Sequence, residues 1–161
     1  MSRETTSRRR LLAGVLVAAT TGATVSKPVN SAPVAATEVD ATLHKIVYQL
    51  NKSDEAYQEA IFNSISAMLT KYVDDVAIAV VVWGPGIHLL AKKPKRPVPK
   101  LFQERVKSMA ESYGIKFIAC GNTMHTLGWT AEDMVEFAKI EDVGAAAIME
   151  LQERGYAYLA W

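Results

Sequence analysis

The chain has 161 residues, of which 50% are hydrophobic, 22% are charged and one is a cysteine. Five of the 18 basic and one of the 17 acidic residues lie in residues 1–36, so the remainder has 13 basic and 16 acidic residues and a net charge of −3. This balance gives no support to nucleic-acid binding, which needs a strongly basic face, and a single cysteine excludes an intramolecular disulfide.

The first 36 residues have the composition of an export signal. A polar start ends in Ser7-Arg8-Arg9-Arg10-Leu11-Leu12, an apolar stretch runs from Leu11 to Ala23, and a tail rich in Ala, Ser and Pro follows. The consecutive arginines before two leucines are similar to the twin-arginine motif. An apolar stretch of about 13 residues is too short to span a bilayer as a helix.

The sequence therefore predicts a twin-arginine signal peptide and cleavage region at residues 1–36, cut after Ala36 or after Ala23. The expected consequence is a periplasmic protein, exported by the twin-arginine translocation machinery, with no stable membrane anchor. A short linker, residues 37–42, is predicted to precede one folded domain at residues 43–161.

The first half of this domain alternates strand and helix. His44 to Leu50 is predicted to be a strand, because its apolar residues first alternate and then run together. Ser53 is predicted to cap an amphipathic helix that ends near Tyr72. Val76 to Trp83 is an almost unbroken apolar run, typical of a strand covered on both faces.

The middle of the domain begins with a break at Gly84-Pro85-Gly86, followed by a short helical turn at 87–91. Residues 92–100 contain three prolines and five cations and are predicted to form an exposed loop. An amphipathic helix at 101–113 follows, stopped by Gly114, and then a strand from Lys116 to Cys120.

The last part is predicted to contain two helices and a strand. Thr130 and Asp133 form a capping-box pair that is expected to open a helix around Met134 and Phe137. A further helix is predicted at 144–154 and a final strand at 156–159. Alternating strands and helices predict an α/β fold: an open, doubly wound parallel sheet of about five strands with helices on both faces.

Ligands of such sheets bind beyond the carboxyl ends of the strands. Three segments are expected at that edge: 51–53, 84–88 and 120–125. The predicted substrate-binding residues from these segments are Asn51, Gly84, Gly86, Gly121, Asn122 and Thr123.

Cys120 is the predicted catalytic residue. It leaves a strand into a glycine-containing loop, so we expect its thiol to reach the surface, although a buried apolar role is the ordinary alternative for a free cysteine. Nearby N–H groups would favour the reactive thiolate. Because no partner cysteine exists, the residue suits sulfur transfer through a persulfide better than thioredoxin-like redox work.

Two weaker signals are open to other interpretations. His88 and His125 with Cys120 would suit zinc or copper, but no tight ligand spacing is present, and we predict no metal and no other cofactor. The cations at 92–100 would attract an anionic partner or a sulfur oxyanion, although the prolines between them favour a solvated loop.

Four segments resemble the DsrE/DsrF-like family, and in particular its YchN-like branch. They are Lys45-Ile-Val-Tyr-Gln-Leu-Asn51, Val82-Trp-Gly-Pro-Gly-Ile87, Gly114-Ile-Lys-Phe-Ile-Ala-Cys120-Gly-Asn-Thr-Met124 and Leu151-Gln-Glu-Arg-Gly-Tyr156. The resemblance extends over residues 43–161. It implies a small α/β domain that assembles into homo-oligomers, often trimers or hexamers, and relays sulfur through a cysteine that Cys120 matches.

The leading interpretation is therefore a periplasmic sulfur-relay protein that carries sulfane sulfur on Cys120 and exchanges it with a donor or acceptor protein. The export signal argues against a role in tRNA thiolation. The alternative is a non-catalytic oligomeric binding module that uses the same strand-edge pocket for a small ligand or a metal.

Overall fold

The computed structural model describes residues 44–161. The predicted signal peptide and the 37–42 linker lie outside the described residues. Within the described part of the chain, no helix has the length and apolar character needed to cross a membrane.

Five strands and four α-helices form the domain. The strands are β1 (His44–Leu50), β2 (Val76–Val82), β3 (Lys116–Cys120), β4 (Lys139–Glu141) and β5 (Ala157–Leu159). The helices are α1 (Glu55–Tyr72), α2 (Lys100–Tyr113), α3 (Gly121–Thr126) and α4 (Gly144–Glu153), and two 3₁₀ segments lie at Gly84–Leu90 and Ala131–Asp133.

All five strands are parallel, in the order β4-β3-β2-β1-β5. The chain moves one strand at a time from β1 to β4, and α4 then returns it across the sheet to β5. The predicted open, doubly wound α/β sheet with helices on both faces is therefore confirmed.

The core has two layers, because side chains alternate between the faces of each strand. In β2, Ile78, Val80 and Val82 face α1 and α2, whereas Ala77, Ala79 and Val81 face α4. Small residues on the second face let α4 pack closely through Ala147 and Ile148. All residues from Ala77 to Val82 are buried, which confirms the prediction of a strand covered on both faces.

Three local predictions need correction. Asp54, not Ser53, caps α1, and its carboxylate accepts the N–H of Tyr57 at 2.8 Å. The capping box of Thr130 and Asp133 is present, but it opens only the short 131–133 turn. Met134 is extended, because it forms a bridge with Ala91 and the Val135 N–H bonds the Leu90 carbonyl at 2.9 Å, and Phe137 lies in a turn that leads into β4.

The residues after Cys120 were expected to form a loop, but they begin α3 directly. Met124 of α3 packs into the layer that contains α1 and α2, whereas α4, which follows β4, packs on the other face. Neighbouring strands whose helices leave to opposite faces open a crevice at their carboxyl ends, and here that point lies between β3 and β4.

Candidate functional site

Cys120 is the last residue of β3 and lies at this crevice. Glu141 of β4 pairs beside it, and the chain from Asp142 to Gly144 passes over it on the way into α4. The Asn122 N–H donates to the Asp142 carbonyl at 2.9 Å, which ties this connection to the start of α3. The predicted position of Cys120 at the carboxyl edge is therefore confirmed.

The predicted exposure of Cys120 is wrong, since only 6% of the residue is exposed. The cause is Gly144, whose backbone N–H donates a hydrogen bond to Sγ at 3.2 Å. A Cβ at this glycine would lie 3.1 Å from the Cys120 Cβ and 2.8 Å from Cε3 of Trp83. Only glycine permits so close a contact, so the backbone itself covers the sulfur.

Two opposing effects act on the pKa of the Cys120 thiol. Burial is the largest single effect and raises the pKa. The backbone N–H groups of Thr123, Gly144 and Asn122 and the Thr123 hydroxyl lower it, and together they bring the pKa below its ordinary value. Gly144 makes the direct hydrogen bond; the α3 groups act at longer range, since none forms a capping hydrogen bond to the sulfur. Asn122 is among these groups, whereas Gly121 is not, and support of a thiolate by the residues after Cys120 stays a prediction.

Thr123 connects the sulfur to the neighbouring 84–90 segment. Its Oγ1 accepts the Gly84 N–H at 3.3 Å, which leaves the hydroxyl proton free to be donated towards Cys120. Gly84 has a φ of +52°, a left-handed conformation that favours glycine, and this turn directs its N–H at Thr123. The Gly84 turn thereby helps to orient the hydroxyl.

A cleft of about 300 Å³ has Thr123 in its wall. Its polar lining side chains are those of His88, Arg96, Asn122, Thr123 and Thr126, and Gly84 contributes to the wall. No acidic residue lines it. The cleft therefore combines a guanidinium, an imidazole, an amide and two hydroxyls next to the residue that supports the thiolate.

Three of the predicted substrate-binding residues, Gly84, Asn122 and Thr123, line this cleft, and three do not. The Asn51 side chain is hydrogen-bonded to the Tyr57 hydroxyl at 3.1 Å. A Cβ at Gly86 would lie 2.7 Å from the Leu50 carbonyl oxygen, and one at Gly121 would lie 3.2 Å from the Asp142 Cα. These two glycines allow close packing of backbones, and substrate contact by any of the six residues stays a prediction.

The possible metal ligands are not brought together. His88 is 3% exposed and its Nδ1 accepts the Lys95 N–H at 3.1 Å, whereas His125 is exposed on α3. Within residues 44–161, no three His, Cys, Asp or Glu side chains are grouped as metal ligands.

A larger groove, of about 640 Å³, lies between α1 and α2, away from this edge of the sheet. It is lined by residues such as Leu69, Leu101, Met109 and Tyr113, and no thiol, imidazole or carboxylate is among its lining residues. The hydroxyls of Ser66, Thr70 and Ser108 in its lining have no imidazole or carboxylate beside them to act as a base, so an activated nucleophile is supported at Cys120 and not in the larger groove.

Sequence reasoning missed Gly144, which covers the sulfur. The sole signal was a glycine at the start of a predicted helix, which is ordinary by itself. Its role depends on β4, which was not predicted, and on a contact between residues 24 positions apart.

The sequence profile of the DsrE/DsrF-like family matches residues 44–161, which is all of the described domain. The chain belongs to the DsrE/DsrF-like family. This family is associated with sulfur relay in general.

Solved structures with the same fold include the protein of unknown function MTH1491 of Methanobacterium thermoautotrophicum, with a TM-score of 0.65, 21% identity, and coverage of 73% of this chain and 99% of that one. The YchN protein of E. coli gives a TM-score of 0.58 and 12% identity over 74% of this chain and 100% of that chain. BT1422 of Bacteroides thetaiotaomicron, a conserved protein of unknown function, gives a TM-score of 0.51 and 17% identity over 73% of this chain and 94% of that chain. These similarities establish the fold of the DsrE/DsrF-like domain. No curated protein matches the sequence significantly.

Proposed function

We propose that this protein is a sulfur-relay protein that carries sulfane sulfur as a persulfide on Cys120. The observation that carries the proposal is the Gly144 N–H directed at Sγ at 3.2 Å, in a site where hydrogen-bond donors hold the pKa of the thiol below its ordinary value in spite of burial. A thiolate is the nucleophilic form of cysteine, and the same donors would stabilise the anionic outer sulfur of a persulfide.

The transfer needs no further group from the protein. The Cys120 thiolate attacks the outer sulfur of a donor persulfide, the donor's S–S bond breaks, and the donor leaves as a thiolate that then takes up the proton of the transferred sulfur. Cys120 then bears an anionic persulfide, and attack by an acceptor thiolate on its outer sulfur regenerates the Cys120 thiolate. Because this chain has one cysteine, both partners must be other molecules.

The cellular setting that we propose follows from the leader. Residues 1–36 would direct the folded protein through the twin-arginine translocation machinery to the periplasm, where a sulfur donor or acceptor protein is its partner. The domain would act there as a homo-oligomer, a trimer or a hexamer.

A second candidate has an observation in its favour. Cys120 is only 6% exposed, and the cleft beside it is lined by other residues. A non-catalytic oligomeric binding module, in which Cys120 only supports the wall of a small-ligand pocket, would have this arrangement.

Treatment of the purified full-length protein with polysulfide, followed by intact mass measurement, separates the two candidates. The carrier is expected to gain about 32 Da, the mass of one sulfur atom, and to lose it when an acceptor thiol is added. Cys120→Ser is the matched control and is expected to show no gain.

An unchanged mass in the folded wild-type protein, combined with ready modification of Cys120 after unfolding, would remove the carrier and leave the binding module. A gain that persists in Cys120→Ser would show that the added sulfur lies elsewhere, and it would also contradict the proposal.

A further inference from the structure

The cleft beside Thr123 has the electrostatic character of an anion site. Arg96 is its only charged lining residue. Within residues 44–161, the Arg96 guanidinium makes no hydrogen bond and no ion pair, although it acts electrostatically on His88. A cation in a cleft without a carboxylate favours a negatively charged occupant.

The loop that carries Arg96 is fixed in place beside the cleft. The Lys95 N–H donates to Nδ1 of His88 at 3.1 Å, and the Lys95 ammonium donates to the Leu127 carbonyl oxygen and lies 5.6 Å from the centre of the Trp129 ring. These contacts anchor the residue next to Arg96 to α3 and to the 84–90 segment. Lys95 and Arg96 are nevertheless exposed, as the prediction of an exposed loop at 92–100 states.

His88 supplies a second, independent observation. It is 97% buried, lines the cleft, and accepts a hydrogen bond at Nδ1, so the proton of its neutral form is on Nε2. In the described part of the chain, no acceptor bonds this Nε2–H. This nitrogen is not among the fully enclosed polar atoms of the described residues, so it is accessible from the cleft, where a bound anion would accept its N–H.

We propose that this cleft binds a small inorganic oxyanion that bears a sulfane sulfur, a class that thiosulfate represents. Arg96 provides the counter-charge, His88 donates from Nε2, and the Asn122 amide provides a further donor. The volume of about 300 Å³ lies at the lower limit of ordinary ligand sites, as expected for a small anion.

This inference rests on the proposed carrier function for its sulfur-transfer step. The Cys120 thiolate attacks the outer sulfur of thiosulfate and forms a new S–S bond, while the S–S bond of thiosulfate breaks and its electron pair leaves with sulfite. The charges balance, since a thiolate and a dianion become a persulfide anion and the sulfite dianion. Thr123, which both lines the cleft and interacts with Cys120, is the residue through which the anion site adjoins the sulfur.

Anion binding is tested first without the transfer step. In the full-length Cys120→Ser protein, calorimetric titration with thiosulfate is expected to show one site. The further substitution Arg96→Gln is expected to weaken binding by about tenfold or more, because it removes a charge-assisted contact. Lys93→Gln, on the same loop but outside the cleft lining, is the matched control and should bind as tightly as its parent. Equal weakening by the two substitutions, or no binding by the parent, would overturn the anion site.

Transfer is tested next, by mass, with two donors. Thiosulfate is expected to load Cys120 of the wild-type protein and to load Arg96→Gln about tenfold more slowly, whereas polysulfide loads both at similar rates. Loading by polysulfide but never by thiosulfate would reject the oxyanion donor and leave the carrier intact. Loading by neither donor would reject the carrier and, with it, this transfer step, and the titration of Cys120→Ser would then decide the anion site alone.

Discussion

The chemistry of Cys120 depends on a balance between burial and hydrogen bonding. Burial alone would keep the thiol protonated, and an ordinary buried cysteine is inert for this reason. Here the N–H groups of Gly144 and Thr123 and the Thr123 hydroxyl outweigh it. The identity of residue 123 is therefore expected to matter for the ionisation of the sulfur.

Thr123→Val removes the hydroxyl and keeps the branched shape. Titration of the thiolate absorbance of the folded protein is expected to show a higher Cys120 pKa, with alkylation at neutral pH slowed a few-fold. The control is Thr126→Val on the same helix, whose hydroxyl bonds the Asn122 carbonyl at 3.0 Å instead of approaching the sulfur. An unchanged pKa in Thr123→Val would exclude a contribution from this hydroxyl.

His88 is expected to make stability depend on pH. Burial lowers its pKa, with contributions from Arg96 and Lys95, so the folded state binds a proton less readily than the unfolded state does. The stability from neutral His88 is complete above the ordinary value of 6.5 and is lost as the pH falls below it. We expect urea midpoints of the wild type to fall between about pH 7 and about pH 5, and to fall less in His88→Asn, whose amide oxygen can still accept the Lys95 N–H. An equal decrease of the urea midpoint in the two proteins would show that His88 is not the source of the pH dependence.

Single residues differ in how far the sequence predicts their surroundings. The place of Cys120 could be predicted, because an apolar run that ends in Cys-Gly marks the end of a buried strand. Its burial could not, because Gly144 is distant in sequence and reaches the sulfur only through the strand order. Arg96 was visible as part of a basic cluster, but its place beside His88 depends on how the loop folds back.

At the scale of elements, long apolar patterns predicted the structure and short ones did not. β1, β2, α1 and α2 follow from their periodicity. β4 has only three residues, Lys-Ile-Glu, all exposed, and it carries no strand signal strong enough to outweigh the capping box before it. The missed strand matters, since the turn from β4 into α4 is the one that covers Cys120.

The 84–90 segment packs against β1 through Gly86. A Cβ there would lie 2.6 Å from Cδ2 and 2.7 Å from the carbonyl oxygen of Leu50, so Gly86→Ala forces backbones apart and is expected to lower the free energy of unfolding by about 1–3 kcal/mol.

Gly155→Ala is the matched control for Gly86→Ala. Gly155 has a φ of +88° and open space around it, so its substitution costs only backbone strain, about 1 kcal/mol. Urea unfolding of both variants measures the difference. A smaller loss of unfolding free energy in Gly86→Ala than in Gly155→Ala would show that the 84–90 segment can move away from Leu50 at little cost. Its contact with β1 would then not hold the Gly84 turn in place.

At the scale of the whole molecule, the sheet ends in two short edge strands. β5 at one edge carries the exposed side chains Tyr158 and Leu159, and β4 at the other carries Ile140. Trp161 and Met149 add further exposed apolar surface. Open edges and exposed apolar side chains favour association between copies of the chain.

The resemblance to the DsrE/DsrF-like family implies a trimer or a hexamer, and we expect the purified protein to sediment as one of these at micromolar concentration. The double substitution Tyr158→Ser and Leu159→Ser is expected to shift it towards smaller species, and Leu101→Ser, at an exposed site on α2, is the control. A wild-type protein that sediments as a monomer would contradict the oligomer.

The proposed sulfur transfer depends on a covered sulfur that is nevertheless ionised and reachable in the folded protein. The most direct measurement is the pH dependence of the rate at which a small alkylating agent modifies Cys120, in the native protein and in denaturant. We predict measurable native modification with a midpoint at lower pH than in the denatured chain. A native midpoint at or above the denatured one, or modification only after unfolding, would contradict a sulfur carrier at Cys120.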